Sequence, residues 1–305
     1  MRSGDLKSYL HLHLIVFIWG FTAILGDLIS IRDISLVWYR MLLAGTFLFM
    51  YARGTGRELR LPRKEILKLI FVGGLIAAHW IFFFKAIKIS NVSVTLAMFS
   101  CGAFFASVLE PLLYKRRMLW YEVFFGLIII AGLFYIMQVE VRYLWGALSA
   151  LFSVFLGVLF TLGNGKLIQK HDSVVIALYE FYAGFLFVTI YLAFTGAFTP
   201  AFFDVSGKDW ALLLLLSSIC TAYAFTAAVK VMRKLTPYTV MLTTNLEPVY
   251  GILLAYFILD DDERMSLSFY IGAAVILAVV ILNGVMNIIQ KAIAPIDFFQ
   301  LFGLL

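Results

Sequence analysis

The 305 residues are 63% hydrophobic and only 14% charged, with a mean hydropathy of +0.98. A soluble domain carries roughly a quarter charged residues, and a water-soluble fold of this size has no means of burying so much apolar surface. The formal charge of +6 is spread in short clusters between apolar runs, which excludes a dedicated nucleic-acid surface and points to a lipid bilayer as the solvent.

A membrane-crossing helix needs roughly 20 mostly apolar residues. Ten such runs follow in chain order: 10–30, 34–52, 66–87, 91–114, 120–138, 143–166, 174–197, 209–230, 238–259 and 267–289. The expected fold is therefore all-α, a polytopic membrane protein with ten transmembrane helices. The first run lacks a small-residue cleavage site and reads as a span rather than a signal peptide. No loop is long enough for a globular domain. Residues 290–305 are expected to form a C-terminal cytoplasmic tail, apolar but too short to cross and suited to the membrane surface. Cys101 and Cys220 both lie inside apolar runs and read as small buried hydrophobes rather than disulfide or metal positions.

Charge sets the orientation. With the N-terminus in the cytoplasm, the inner segments carry Arg53, Arg57, Arg60, Arg63, Lys64 and Lys68, then Lys115, Arg116 and Arg117, then Lys166 and Lys170, then Lys230, Arg233 and Lys234. The outer segments hold only scattered bases: Arg32, Lys85, Lys88, Arg142, Lys208 and Arg264. The positive-inside rule then predicts both termini in the cytoplasm. The setting expected for such a chain is a bacterial cytoplasmic (inner) membrane.

The chain also repeats itself. Residues 17–26 read FIWGFTAILG and residues 155–163 read FLGVLFTLG, so that Gly20 matches Gly157 and Gly26 matches Gly163. Ala44-Gly45 with FLF at 47–49 matches Ala183-Gly184 with FLF at 185–187, and Arg117-Met118 matches Arg264-Met265. Each match is weak, but their order along the chain is shared. Two similar halves with five spans each must sit upside down relative to one another. This is the inverted-repeat plan of many secondary transporters, whose sites lie at the repeat interface near mid-membrane.

Trp19-Gly20 in the first span, Arg40 before MLLAGTFLF in the second, Ala86 to Ser90 after the third, Leu246-Glu247-Pro248 in the ninth, and Glu263-Arg264-Met265 leading to Gly272 carry a resemblance. In this order the chain resembles the EamA-type transporters of the drug/metabolite transporter superfamily. The resemblance implies two inverted five-helix repeats, here 10–138 and 143–289, around a central cavity. It also implies movement of small metabolites, amino acids among them, usually outward, with no cofactor. In the first half, Gly102 stands where the second half has Pro248.

Ionisable groups at membrane depth normally face a cavity or a partner. Glu247 sits in mid-span beside Pro248, which frees a backbone carbonyl, and follows Thr243, Thr244 and Asn245. A carboxyl there can hold a proton, bind a substrate amine, or rest protonated against a neighbouring helix. His79 with Trp80 lies midway along the third span, suited to proton coupling and ring stacking or to a cross-helix bond. Arg40 and Glu180 occupy nearly equivalent places in the second and seventh spans, each preceded by a tyrosine, Tyr39 and Tyr179. They are expected to pair with one another or to grip the carboxylate and amine of a zwitterion. Trp19 and Tyr223 are further cavity candidates. Glu110, close to Lys115, is expected to join an interfacial ion pair.

No phosphate-binding Gly-x-x-x-x-Gly-Lys-Ser/Thr, His-Glu-x-x-His or Gly-x-Ser-x-Gly pattern is present. The expected partners are a small metabolite and the bilayer, with proton coupling through Glu247 or His79, and no metal or nucleic acid. The leading expectation is a secondary transporter working by alternating access; a passive channel or facilitator is the alternative, and a lipid-processing enzyme a weaker third.

Overall fold

The computed structural model describes residues 3–115, 141–259 and 265–293, with isolated positions between 124 and 135. The run expected at 120–138 and most of the 290–305 tail lie outside the described residues. Among the described residues every regular element is helical. Helices α1 (Ser3–Leu28), α2 (Asp33–Gly54) and α3 (Arg63–Ile89) are continuous. Pro62 precedes α3, where a missing N–H leaves no bond unmade. The fourth expected span is in two pieces, α4 (Val92–Phe99) and α5 (Gly102–Tyr114). Asn91 caps α4, its side chain accepting from the Val94 N–H at 2.8 Å.

The second half begins with α6 (Leu144–Leu167) and α7 (Ser173–Phe194), the latter capped by Asp172. A short α8 (Pro200–Phe203) leads to α9 (Gly207–Ser217), whose line continues through a π-helical turn at Ser218–Tyr223 into α10 (Ala224–Val231). The ninth expected span is again divided, into α11 (Pro237–Thr244) and α12 (Glu247–Ile258), and α13 (Leu267–Ile293) follows. Among the described residues, eight helical stretches are long and apolar enough to cross a membrane, counting each divided helix once. Helix α13 takes the place of the tenth expected run. Phe71, Phe194 and Phe257 project from the bundle surface, as lipid-facing residues do.

The two divided helices break at matching positions. At the first, Ser100 and Cys101 bond back three residues to Ala97 and Met98; at the second, Asn245 and Leu246 bond back three residues to Leu242 and Thr243. Such tightening marks a helix interrupted in mid-course. Pro248 explains the second break, since it has no N–H for the ladder. At the first break no proline follows; Gly102 opens the second piece, in the place that Glu247 takes after the other break, and as a glycine it lowers the helix's rigidity.

Helices from the two halves interlock. α3 packs on α6 and α7, while α1 and α2 pack on the α9–α10 line. α1 lies along α11 and α12, while α6 lies along α4 and α5. Each contact thus has a counterpart in which the halves exchange roles. Glycines set the closest approaches. A Cβ on Gly73 of α3 would meet Ala183 Cβ at 2.9 Å and also strike the Glu180 carbonyl, and one on Gly184 would meet the Gly73 carbonyl at 2.9 Å. Small residues at helix crossings are how membrane helices gain van der Waals contact without a hydrophobic drive between them.

Segments expected on the same side of the bilayer meet one another. At one end Arg57 pairs with Asp172 at 2.5 Å, Glu65 takes Lys68 and His171, and Arg233 donates to the His171 carbonyl at 3.0 Å. At the other end Asp209 accepts from the Ser30 backbone and hydroxyl at 2.8 and 2.6 Å, and Lys88 donates to the Ile29 carbonyl at 2.6 Å.

Candidate functional site

A cavity of about 880 Å³, counting its mouth, lies between the halves and is lined from α1, α2, α3, α4, α6, the π turn, α10, α11 and α12. Its walls are mainly apolar and include the rings of Trp19, Trp80, Phe83, Phe99, Phe160 and Phe225. At one end the lining reaches Met232 and Val240, next to the loop between α10 and α11. Towards the other it stops at Thr22, Arg40, Phe83 and Phe99, about two turns short of the ends of α1, α2, α3 and α4.

Arg40 is the largest polar group in the cavity wall and is 2% exposed. Its Nε donates to Thr221 Oγ1 at 2.7 Å, and its guanidinium lies over the Trp80 ring at 3.9 Å. Its Nη1 has no hydrogen-bond partner among the described residues. The π turn makes this seat. Thr221 Oγ1 donates in turn to the Leu216 carbonyl, five residues back, at 2.7 Å. The same turn presents the Cys220 carbonyl to Trp19 Nε1 at 3.2 Å. π turns widen a helix and release carbonyls in this way, often at functional positions.

Glu247 is the first residue of α12, immediately after the break. It is buried, lines the cavity and lies within electrostatic reach of Arg40, but the two form no ion pair. The cavity therefore presents a guanidinium and a carboxyl group, with aromatic surface around them. His79 also lines it. His79 Nδ1 donates to the Ser153 carbonyl at 2.7 Å, while Ser153 Oγ donates to the His79 carbonyl at 2.8 Å. That bond fixes the hydrogen on Nδ1 and ties α3 to α6.

The other expected residues divide. Trp19 and Trp80 line the cavity. Tyr39 sits outside it, donating to the Phe202 carbonyl at 3.2 Å within an aromatic group that includes Trp38 and Trp210. Tyr179 donates to the Leu59 carbonyl at 2.9 Å, and Tyr223 meets His11 at 3.0 Å on the bundle surface. Thr243 bonds the Thr239 carbonyl of its own helix, and its neighbour Thr244 lines the cavity instead. Asn245 is buried at the break, with Nδ2 unpartnered among the described residues.

The expected Arg40–Glu180 pair is not formed. Arg40 is held by Thr221, and Glu180 Oε2 accepts from Asn164 Nδ2 at 3.2 Å, away from the cavity wall. The Ala44-Gly45 and Ala183-Gly184 match places Arg40 over Tyr179, so Glu180 lies one residue on and about 100° around its helix. Glu110 is buried, and its Oε1 accepts from the Tyr238 N–H at 3.4 Å, at the start of α11. Thr161, Asn164 and Thr221 were missed. Their only signal is a polar side chain inside an apolar run, with no charged residue beside it to single it out.

Residues 6–138 and 143–285 each match the EamA-like transporter family. No curated protein matches the chain. A solved structure described only as the crystal structure of a protein aligns with a TM-score of 0.67 and 17% identity, over 90% of this chain and 98% of that one. At that identity the likeness concerns the fold alone. The two family matches together cover nearly the whole sequence, and the chain belongs to the EamA-like transporter family.

Proposed function

We propose that this membrane transporter is a secondary transporter of small zwitterionic metabolites with an apolar side chain, amino acids being the type case, working outward by alternating access. The observation that carries the reading is Arg40, whose buried Nη1 has no partner among the described residues, set in the wall of the same cavity as Glu247. A substrate carboxylate supplies the acceptor that Nη1 lacks, a substrate amine answers Glu247, and Trp19, Phe83, Phe160 and Phe225 take the apolar remainder. Arg rather than Lys suits this seat because its planar fork can serve Thr221 and a carboxylate while lying flat on Trp80.

Alternating access is favoured over a passive channel by the lining, which reaches one end of the bundle and stops short of the other. With the termini in the cytoplasm, the open end faces inward, ready to load cargo for export. The exchanged contacts between halves support an inverted repeat, in which rocking one half on the other opens the opposite end. Bacterial inner-membrane residence belongs to the same reading. The test is counterflow: proteoliposomes preloaded with an unlabelled apolar amino acid should take up the labelled acid, and its N-acetyl and methyl-ester forms should compete poorly. Rapid uptake without counterflow would establish a channel, and absence of binding by any zwitterion would reject the substrate class.

A further inference from the structure

We infer that Glu180, outside the substrate cavity, and Asn164, on its wall, form a proton-binding site that couples transport to a pH gradient; the inference rests on the transporter reading above. Both side chains are completely buried. One hydrogen bond joins them, from Asn164 Nδ2 to Glu180 Oε2 at 3.2 Å, and the remaining oxygen of each, Asn164 Oδ1 and Glu180 Oε1, has no partner among the described residues. A carboxylate sealed in an apolar interior with a single neutral donor is strongly disfavoured, because its lost hydration is not replaced.

The surrounding charges do not relieve it. Helix α7 packs against α2, α3 and α10, and Asn164 comes from α6. The titratable groups these elements bring to the neighbourhood are Arg40, His79, Lys230 and Lys166. Arg40 is engaged by Thr221 and Trp80, and His79 by Ser153. Lys166 donates to the Leu113 carbonyl at 2.8 Å, and Lys230 is exposed. Further along α3, Glu65 and Lys68 pair with one another beside His171. No ion pair reaches Glu180 among the described residues.

A proton on Glu180 Oε1 resolves both orphan atoms at once. The resulting O–H donates to Asn164 Oδ1 while Asn164 Nδ2 donates to Oε2, a closed two-bond pair between acid and amide. Removing the proton returns two unmatched oxygens and a buried charge, so release requires that the seat open to water. The proton enters from one side of the membrane, resides on the carboxyl, and leaves to the other; no other bond changes.

The seat is wired to the substrate cavity at two points. Asn164 itself lines the cavity. Phe181, next to Glu180, packs on Trp80 with ring centroids 5.5 Å apart, and Trp80 carries the Arg40 guanidinium. Cargo on Arg40 and the proton on Glu180 thus bear on the same crossing of α3 and α7, where Gly73 leaves no slack.

The experiment uses the full chain in proteoliposomes with an amino acid that gives counterflow. At equal pH on both sides, wild type and Glu180→Gln should both exchange the labelled acid, since the amide carries N–H where the acid carries O–H and lies outside the cavity. Under an imposed pH gradient, wild type should accumulate the acid and Glu180→Gln should lose about tenfold or more of that accumulation. Asn164→Ala, which keeps the carboxyl but removes its one hydrogen-bond partner among the described residues, should move the pH midpoint of accumulation by about one unit, and decides the matter if Glu180→Gln fails to fold. Wild type that exchanges but ignores the gradient, gradient-driven accumulation undiminished in Glu180→Gln, or an unmoved midpoint in Asn164→Ala would each overturn the inference. Absence of wild-type counterflow would instead overturn the transporter reading on which it stands.

Discussion

Arg40 on α2 and Glu180 on α7 are opposite charges at nearly corresponding points of two related helices, and both are buried. Their surroundings differ in kind. Arg40 has a hydroxyl, an aromatic face and an Nη1 without a partner among the described residues, in the wall of a cavity. Glu180 has one amide, and an Oε1 without a partner among the described residues. A buried cation with a preformed seat and a spare donor is arranged for an anionic ligand. A buried acid with a spare acceptor is arranged for a proton. The difference between the halves, rather than their likeness, is where this transporter's chemistry sits.

The sharpest way to break the comparison is to remove the cation. Arg40→Gln should lower substrate affinity about 100-fold or more, as removal of a buried charged anchor does at roughly 2–5 kcal/mol, and Arg40→Lys should not restore it. Isothermal titration or thermal-shift competition with the counterflow substrate measures this; near-normal affinity in the Lys variant would mean that planar recognition is not used. On the other side of the comparison, Gly73→Val should push α3 off the Glu180 backbone and destabilise the fold by about 1–3 kcal/mol, the usual range for overpacking, seen as a lower unfolding temperature in detergent. An unchanged unfolding temperature would refute the close crossing.

Smaller changes sharpen the account of Arg40. Thr221→Val removes the acceptor for Nε and should weaken substrate binding about tenfold, in keeping with about 1–3 kcal/mol for an orphaned donor. Trp80→Leu removes the ring beneath the guanidinium and should cost about 0.5–2 kcal/mol, a several-fold loss of affinity without loss of folding. Arg57→Ala serves as the far control: its pair with Asp172 is partly exposed, and thermal stability should fall by less than about 1 kcal/mol.

Much of the fold was legible because each signal was local. Apolar runs, basic clusters and the Leu246-Glu247-Pro248 break require only the residues themselves. The first break was not legible, since Ser100-Cys101-Gly102 carries no proline and the helix could have continued. Arg40, Trp80, His79, Trp19 and Glu247 were identified as candidates, and the structure brings them to one cavity. The tyrosines Tyr39, Tyr179 and Tyr223 were named for their hydrogen-bonding capacity, yet their partners are the Phe202 carbonyl, the Leu59 carbonyl and His11, none of which proximity in sequence reveals. Thr221 was invisible because a threonine in an apolar helix ordinarily bonds its own backbone; only the π turn sets it against Arg40.

Composition and pattern by themselves determined that this is a multi-pass helical membrane protein and which ionisable groups are costly enough to need a reason. Tertiary structure alone decided which way each buried charge points. A helix carries neighbouring residues about 100° apart, so a register difference of one residue sends Arg40 into the cavity and Glu180 against Asn164, and no reading of the linear order resolves that turn.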